Sequence, residues 1–577
     1  MPIINTWPQL RYVALVEDLK ESEPFEHTAS DGTSLVLIRK GSEVFAWSAF
    51  CPHQGANLGT GEVDGDYLEC PLHGWRFHVR TGKQLDDGPA CLEPFHCEVQ
   101  NGKIMVDLPG VELPVKTQNS QQMPGPRGLP LLGKVINIKN LHTALENWAQ
   151  DYPDMFRVTI AGRSWLAVSN PYLIGEMLKK RPKTWRRVSS IESVFRELDV
   201  YGVFSVEGET WKHHRRLVMP AFNNKHLAAY YLSLKKIAYD LRDVWTLRSQ
   251  GGSPINVVKD LMRFTTDVTS KLAFGYEMNT LAGGHDELQG QLEQIFPMVS
   301  LRSSIPFPYW RYVKLPMDYR LDRAMKNVRS TIEGIILKVR SEMDLNKKPE
   351  TLLEAMLHAE EMGGEEGLTN KELMGNILTI LLAGEDTTAN ILAWLMYFLA
   401  LYPDVQDRIR EEVSDIVRGE DLTEFAQTRE MPYLEAVAKE TMRLKAVVPL
   451  LFLEPVHDVV LGDVKIAGGT PVFALMRYAG IQESYVPEAK KFKPERWLPG
   501  NEVMRPEEAL CLAFGGGPRL CPGRSLAFLE IKLVVSMLVK AFTVTLPPKS
   551  KPPREVFNFS MTPGSLRLVL ERRDSSP

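Results

Sequence analysis

The stretch Phe514-Gly-Gly-Gly-Pro-Arg519-Leu-Cys521-Pro-Gly523 precedes an apolar segment, Ser525 to Val539, with helical spacing. Three consecutive glycines permit backbone geometry that a side chain would block, so the loop can close tightly around the cysteine sulfur. Cys521 stands just before a helix start, where unpaired amides and the helix dipole favour a thiolate over a thiol. A buried thiolate with amides aimed at it suits a haem iron, which takes an electron-donating axial ligand of this kind. Arg519 has the reach for a charge-assisted contact with a haem propionate. The plainer alternative is a glycine-rich turn around a structural cysteine. A lone cysteine would favour that alternative; the ten-residue pattern does not.

Working outward, the 577-residue chain is long enough for several domains' worth of core. Its composition, 44% hydrophobic and 24% charged, is that of an ordinary globular protein. A net charge of −4 gives no argument for nucleic-acid binding. The charge is unevenly spread: residues 1–110 carry 8 Lys+Arg against 16 Asp+Glu, and the remainder is mildly basic. An acidic module beside a basic body can dock electrostatically, although acidic surfaces also serve solubility. The six cysteines are irregularly spaced in a long chain, which argues against a disulfide framework. The first ten residues show no basic-then-apolar leader, and the longest apolar run, Leu373 to Tyr402, is interrupted by Glu385 and Asp386. A soluble, reducing, cytoplasmic setting is the expectation.

Residues 1–108 read as strands and turns. Tyr12 to Val16, Leu35 to Ile38 and Val44 to Trp47 are short β-rich runs, punctuated by Asp31-Gly32, Gly41-Ser42, Asp64-Gly65 and Asn101-Gly102. An all-β sandwich or barrel is expected. Two loops carry its chemistry, Cys51-Pro-His53-Gln-Gly and Cys70-Pro-Leu-His73-Gly. Each offers one thiolate and one imidazole. Two cysteines on one iron and two histidines on the other form the ligand set of a Rieske 2Fe–2S centre. A tetrahedral zinc site is the rival, but zinc spacing pairs Cys with Cys and His with His, whereas each loop here mixes them. His27, His78 and His96 fit neither loop and read as surface or packing residues, and Cys91 and Cys97 as spare thiols.

The N-terminal module is similar to the Rieske ferredoxins over its whole length, with Gly88-Pro89 matching the family's cluster-covering proline loop. The respiratory subclass has two further cysteines; Ala56 and Leu72 stand there in this chain. Its hydrogen-bonding serine and tyrosine are replaced by Trp75 and Phe77. Fewer donors near the sulfurs destabilise the reduced cluster, so the expected potential lies at the low end of the Rieske range, ~−150 mV.

Residues 109–123, with Pro109-Gly110 and Pro114, read as a linker, and Pro124 to Pro130 opens the large domain. Beyond residue 141 the pattern is mostly helical, with β-like runs at Phe156 to Ile160 and Trp165 to Val168. From the linker onward the chain resembles the cytochrome P450 family, through four motifs in the family's order besides the cysteine loop. Trp211-Lys-His-His-Arg215 implies that the indole and guanidinium, i and i+4 on a helix, serve the haem propionates. His213 and His214 read as solvent or interface residues. Ala383-Gly384-Glu385-Asp386-Thr387-Thr388 matches the oxygen-activation groove. The resemblance gives Gly384 the space above the iron and makes Asp386 and Thr387 the proton relay. Glu440-Thr-Met-Arg443, a weak signal alone, joins Arg496 of Phe492-Lys-Pro-Glu-Arg496-Trp in a structural charge triad. Phe514 and Arg519 belong to the haem loop. One departure is Leu453-Glu454-Pro455, where many relatives place a propionate-binding arginine. Phe204 and Val447 to Phe452 are candidate pocket residues, core packing being the alternative. Cys511 reads as a packing thiol.

The expected architecture is therefore multidomain: a small all-β Rieske domain (1–108), a linker (109–123) and a large, mainly α cytochrome P450 domain with minor β-sheets (124–577). The resemblances imply haem b with Cys521 as axial thiolate, a 2Fe–2S cluster on Cys51, His53, Cys70 and His73, and a monooxygenase acting on an apolar small molecule. No flavin- or nicotinamide-binding glycine fingerprint is evident, so the expected partner is a separate NAD(P)H-dependent flavin reductase. The alternative is a haem-thiolate isomerase, dehydratase or peroxygenase whose N-terminal metal module is structural or regulatory.

Overall fold

The structure is a computed structural model. It describes residues 10–28, 33–52, 56–71, 74–85, 91–107, 118–126, 140–160, 162–283, 287–304, 308–344, 349, 351–362, 368–417, 423–498, 512–557 and 560–573. His53, His73, the Gly88-Pro89 loop and Cys511 lie outside the described residues.

Among the described residues, the N-terminal module forms three antiparallel sheets. Pro24–Thr28, Ser34–Lys40, Glu43–Ser48 and Pro94–Phe95 form the largest; Leu10–Leu15, Lys103–Asp107 and Cys97–Gln100 form a second; Glu62–Asp64, Tyr67–Glu69 and Arg76–His78 form the third. The turn chemistry fixes these pairings. Gln100 faces Lys103 across a two-residue loop in which Asn101 (φ 52°) and Gly102 (φ 75°) are both left-handed, the geometry that suits strand twist. Two small apolar cores result. One joins Val13, Leu35, Leu37 and Ile104; the other gathers Cys51, Cys70, Trp47, Leu68 and Phe77.

The large domain is a helical body with a five-stranded mixed sheet. Met155–Ile160, Arg163–Val168, Val472–Leu475, Leu450–Pro455 and Trp185–Arg187 lie in that order. Gln118–Asn119, inside the stretch read as linker, pairs in parallel with Val464–Lys465 of a smaller sheet. At the centre runs the helix Asn370–Leu401. Its start is a capping box: the Glu372 amide donates to Thr369 Oγ1 (3.3 Å), and the Thr369 amide donates to Glu372 Oε2 (3.0 Å). It stops where Pro403 opens the next helix. Residues 388–399 of it are buried all round, as a helix apolar on every face must be. It packs along Val257–Phe274 on one side and near Arg524–Ala541 on another. One large apolar cluster spans these helices. Among the described residues, no helix is long and apolar enough to cross a membrane.

Candidate active site

The cysteine loop folds as its glycines require. Gly515 (φ +77°) and Gly517 (φ +62°) adopt left-handed geometry, and a Cβ on Gly517 would lie 2.4 Å from the Leu178 carbonyl oxygen. The Cys521 amide donates to the Phe514 carbonyl (2.9 Å), closing the loop. Cys521 precedes the helix Arg524–Ala541, and its sulfur accepts hydrogen bonds from the amides of Gly523 and Arg524. Burial pushes the thiol up, while those amides and the guanidiniums of Arg215 and Arg524 pull it the other way. The exposed surface of Cys521 faces inward, into a cavity of about 610 Å³.

That cavity brings the separate motifs together. Its wall includes Cys521, Phe514, Gly516 and Arg519 from the loop, Trp211 and Arg215 from Gly208–Val218, and Gly384 and Thr387 from the central helix. Phe204, Val447, Val448, Leu450, Leu451 and Phe452 also line it. Asp386 stands off the wall; burial pushes its carboxyl up to about 6. Thr387 Oγ1 donates to the Ala383 carbonyl (2.8 Å), within the preceding helical turn. Gly384 has a further role that the sequence did not reveal. A Cβ there would lie 2.6 Å from Thr269 Oγ1, so the crossing of two helices already demands glycine.

Arg519 carries a cation–π contact with Trp211 (4.9 Å to the ring centroid) and donates to the carbonyls of Val203 and Val206. It also pairs with Glu207. Arg181 lies 3.8 Å from the same carboxylate. Arg187 joins this end of the cavity. Burial, reinforced by Arg519, pushes the guanidiniums of Arg187 and Arg215 down to about 10, and that of Arg181 well down. Arg181 and Arg187 were missed in the sequence. They sit in the basic run Arg181-Pro-Lys-Thr-Trp-Arg-Arg187, which alone reads as a solvated face.

The charge triad is more deeply buried than a helix-surface pair. Arg443 meets Glu440 side-on through two donors (2.8 and 2.7 Å), with both side chains 0% exposed. Arg496 Nε donates to the same carboxylate at 3.0 Å. His214, read as a solvent or interface residue, is instead fully buried: Asn376 Nδ2 lies 3.1 Å from its Nδ1 and Glu372 Oε1 lies 3.3 Å from its Nε2. It ties the Gly208–Val218 helix to the central helix. His213 is half-buried beside it.

In the N-terminal module, Cys51 and Cys70 are 2% and 1% exposed and share one core cluster. Two matching turns present them: the Cys51 amide donates to Ala56 O (2.8 Å) and the Cys70 amide to Trp75 O (2.7 Å). Trp75 and Phe77 pack at 6.3 Å between ring centroids, so apolar rings occupy the places where the respiratory subclass has hydroxyls. Cys91 is exposed and Cys97 half-buried, and burial pushes the Cys97 thiol up to about 11.

The donor chemistry of the cavity suits a dianionic, flat, apolar cofactor. It offers one sulfur before a helix start, apolar walls, and a desolvated cluster of guanidiniums with too few carboxylates. That is the constellation of a haem-thiolate protein. The sequence matches the cytochrome P450 family over residues 123–570 and the Rieske [2Fe-2S] domain over residues 9–97. The chain belongs to the cytochrome P450 family and carries a Rieske domain ahead of it. Membership implies a Cys-ligated haem, and the second domain a 2Fe–2S cluster.

The chain is 27% identical over 435 residues to the self-sufficient cytochrome P450 monooxygenase CYP505E5 of Aspergillus niger, a match covering 74% of this chain and 40% of that protein. It thus spans less than half the length of such relatives. It is 25% identical to the chloroplastic protein LUTEIN DEFICIENT 5 of Arabidopsis thaliana, covering 73% of this chain and 72% of that one. Among solved structures, the cytochrome P450 CYP102L1 superposes with a TM-score of 0.69 at 26% identity, covering 78% of this chain and 99% of that chain. The haem domain of cytochrome P450DA gives 0.71 at 22% identity, covering 78% and 98%.

Proposed function

We propose that this protein is a monooxygenase in which a Rieske centre passes electrons from a separate NAD(P)H-dependent flavin reductase to a Cys521-ligated haem, which hydroxylates or epoxidises an apolar small molecule. The observation that carries the reading is the cavity itself. Cys521, the paired Trp211 and Arg215, and Thr387 come from three distant stretches of sequence and line one apolar chamber. Haem, when bound, supplies the activation of dioxygen. The chain's own residues do the rest. The amides of Gly523 and Arg524 orient the sulfur and offset part of its burial, so that it would serve as a thiolate ligand once iron is bound. Trp211, Arg215 and Arg519 bind the propionate edge. The walls formed by Phe204, Val447, Leu450 and Phe452 exclude water and orient an apolar substrate. Thr387, its hydroxyl held at the Ala383 carbonyl, hands protons into the chamber. Asp386, with a carboxyl poised near 6, resupplies them from outside the wall. Cys51 and Cys70, buried in one core cluster, hold one iron of the cofactor, and His53 and His73 the other.

The test is direct. Cys521→Ser should abolish the thiolate signature of the reduced carbon-monoxide spectrum, and an unchanged spectrum would refute the ligand assignment. Spin-state titration of the wild type against a library of apolar compounds then identifies the substrate class; a library that never perturbs the haem would count against an apolar substrate.

A further inference from the structure

The apolar chamber adjoins a second cavity of about 430 Å³, and the two share Arg163, Ser190, Ser193 and Arg311 in their walls. Among the described residues, the wall of this antechamber is polar throughout: four arginines, three serines and one carboxylate, Glu192. The sequence neighbours of the shared residues, Ile160, Trp165, Ile191 and Val194, line the chamber alone. A molecule that fills both spaces is apolar at one end and polar, with negative charge, at the other.

Three elements place the charges. The helix Ser189–Glu197 contributes the serines, Glu192 and Arg196, and the Tyr309–Arg311 turn contributes Arg311. Arg163 opens the strand Arg163–Val168, where residues two apart share a face. Its Cζ lies 5.4 Å from the Trp165 ring centroid, and Trp165 stacks on Phe473 of the chamber wall at 4.3 Å and 11°. An aromatic stack thus holds this exposed guanidinium at the edge of the chamber. The other three arginines are matched by acids. Glu192 pairs with Arg196 (2.7 Å) and with Arg186, which also has Glu454 at 3.7 Å. Arg311 Nε donates to Glu197 (2.8 Å). Arg163 has the ring of Trp165 and, among the described residues, no carboxylate.

We infer that the substrate is an amphipathic acid, with an apolar body in the chamber and a carboxylate held at Arg163 in the antechamber. The inference narrows the proposed apolar substrate to one chemical class and rests on that reading of the chamber. It also orders the two ends: the head stays at the antechamber, and the apolar end reaches toward Thr387. The plainer alternative, a solvated arginine on a turn, predicts no preference for acids.

The experiment uses full-length holoprotein whose reduced carbon-monoxide spectrum carries the thiolate signature. A wild type without that signature would sink the haem reading, a failure distinct from that of the acid. Binding is followed by spin-state titration and, independently of the haem spectrum, by isothermal titration calorimetry. The probes are dodecanoic acid and dehydroabietic acid, each beside its methyl ester. At least one acid should bind the wild type about tenfold tighter than its ester, or more, the effect of one charge-assisted contact. Arg163→Leu should erase that preference, weakening the acid about tenfold and leaving the ester unchanged; the ester titration also verifies that the variant is folded. Arg163→Lys should restore part of the preference. Arg157→Leu removes an exposed arginine of the same hairpin that lines neither cavity, and should match the wild type. Equal affinities for acid and ester in the wild type would overturn the inference, as would two acids that do not bind at all. So would a loss in Arg163→Leu shared by acid and ester, which marks packing, or an equal effect of Arg157→Leu, which marks general surface charge.

Discussion

Glu440 accepts five hydrogen bonds: two from Arg443, one each from Arg496 Nε and Trp497 Nε1, and one from the Lys493 amide. All its acceptor capacity is spent on neutralising two buried guanidiniums and tying a helix to the segment before the haem loop. Glu440→Gln keeps the shape and removes the charge, leaving two arginines uncompensated. The expected cost is about 3–5 kcal/mol in denaturant unfolding; a loss under about 1 kcal/mol would place the pair in the class of surface bridges. Glu530 is the opposite case, a buried carboxyl with no cation beside it among the described residues. Burial pushes it up to about 8, its Thr388 hydrogen bond pulling weakly downward, and its Oε2 has no partner. Between the unfolded value near 4.5 and about 8, the folded chain holds a proton that the unfolded chain has released. Stability therefore falls as pH rises through that window, by at most about 1.4 kcal/mol per unit. The advantage of wild type over Glu530→Gln should be larger at pH 5 than at pH 7.5 in urea unfolding. Parallel pH profiles would show that Glu530 is already ionised in the fold.

The central helix Asn370–Leu401 couples geometry to chemistry, because its Gly384 lies against Thr269 of Val257–Phe274 while also lining the cavity. Gly384→Ala forces a methyl to within 2.6 Å of Thr269 Oγ1. The expected destabilisation is about 1–3 kcal/mol. Adding Thr269→Ala removes the two nearest atoms, so the double variant should be more stable than the sum of the single effects. Strict additivity in that cycle would show that Gly384 answers to the cofactor and not to the neighbouring helix. This element was largely legible in sequence. The apolar run Leu373 to Tyr402 marks its extent, and the Ala383–Thr388 motif marks the place where it meets the site. The loop around Cys521 was legible for a similar reason, because contiguous glycines and one cysteine specify local geometry. What stayed hidden was set by tertiary pairing. The ladder that turns Arg187 inward joins residues more than 260 positions apart. His214 read as a solvent or interface residue, because its partners Glu372 and Asn376 lie on another helix. Gln118–Asn119 read as linker because their strand partner lies near Val464.

At the scale of the whole molecule, two separate cores matter most. The strands of residues 10–107 close on their own apolar clusters, and the helical body closes on another. Each proposed cofactor site therefore draws on residues of its own part of the chain, and the covalent link brings proximity. The first half is acidic and the second mildly basic, so the link and the field both favour association. On the proposed reading, the covalent link would hold the donor at an effective concentration of ~mM, far above that of a freely dissolved ferredoxin. Electron delivery should accordingly be intramolecular. In stopped-flow experiments with the cluster pre-reduced photochemically and the haem trapped by carbon monoxide, the haem-reduction rate constant should stay unchanged on dilution of the protein. It should also fall only modestly as salt rises, because charge steering adds little once the partners are tethered. His73→Ala should eliminate this fast phase while leaving the carbon-monoxide spectrum of chemically reduced haem intact. A rate that scales with protein concentration would show transfer between chains. A fast phase that survives in His73→Ala would take the cluster out of the electron path.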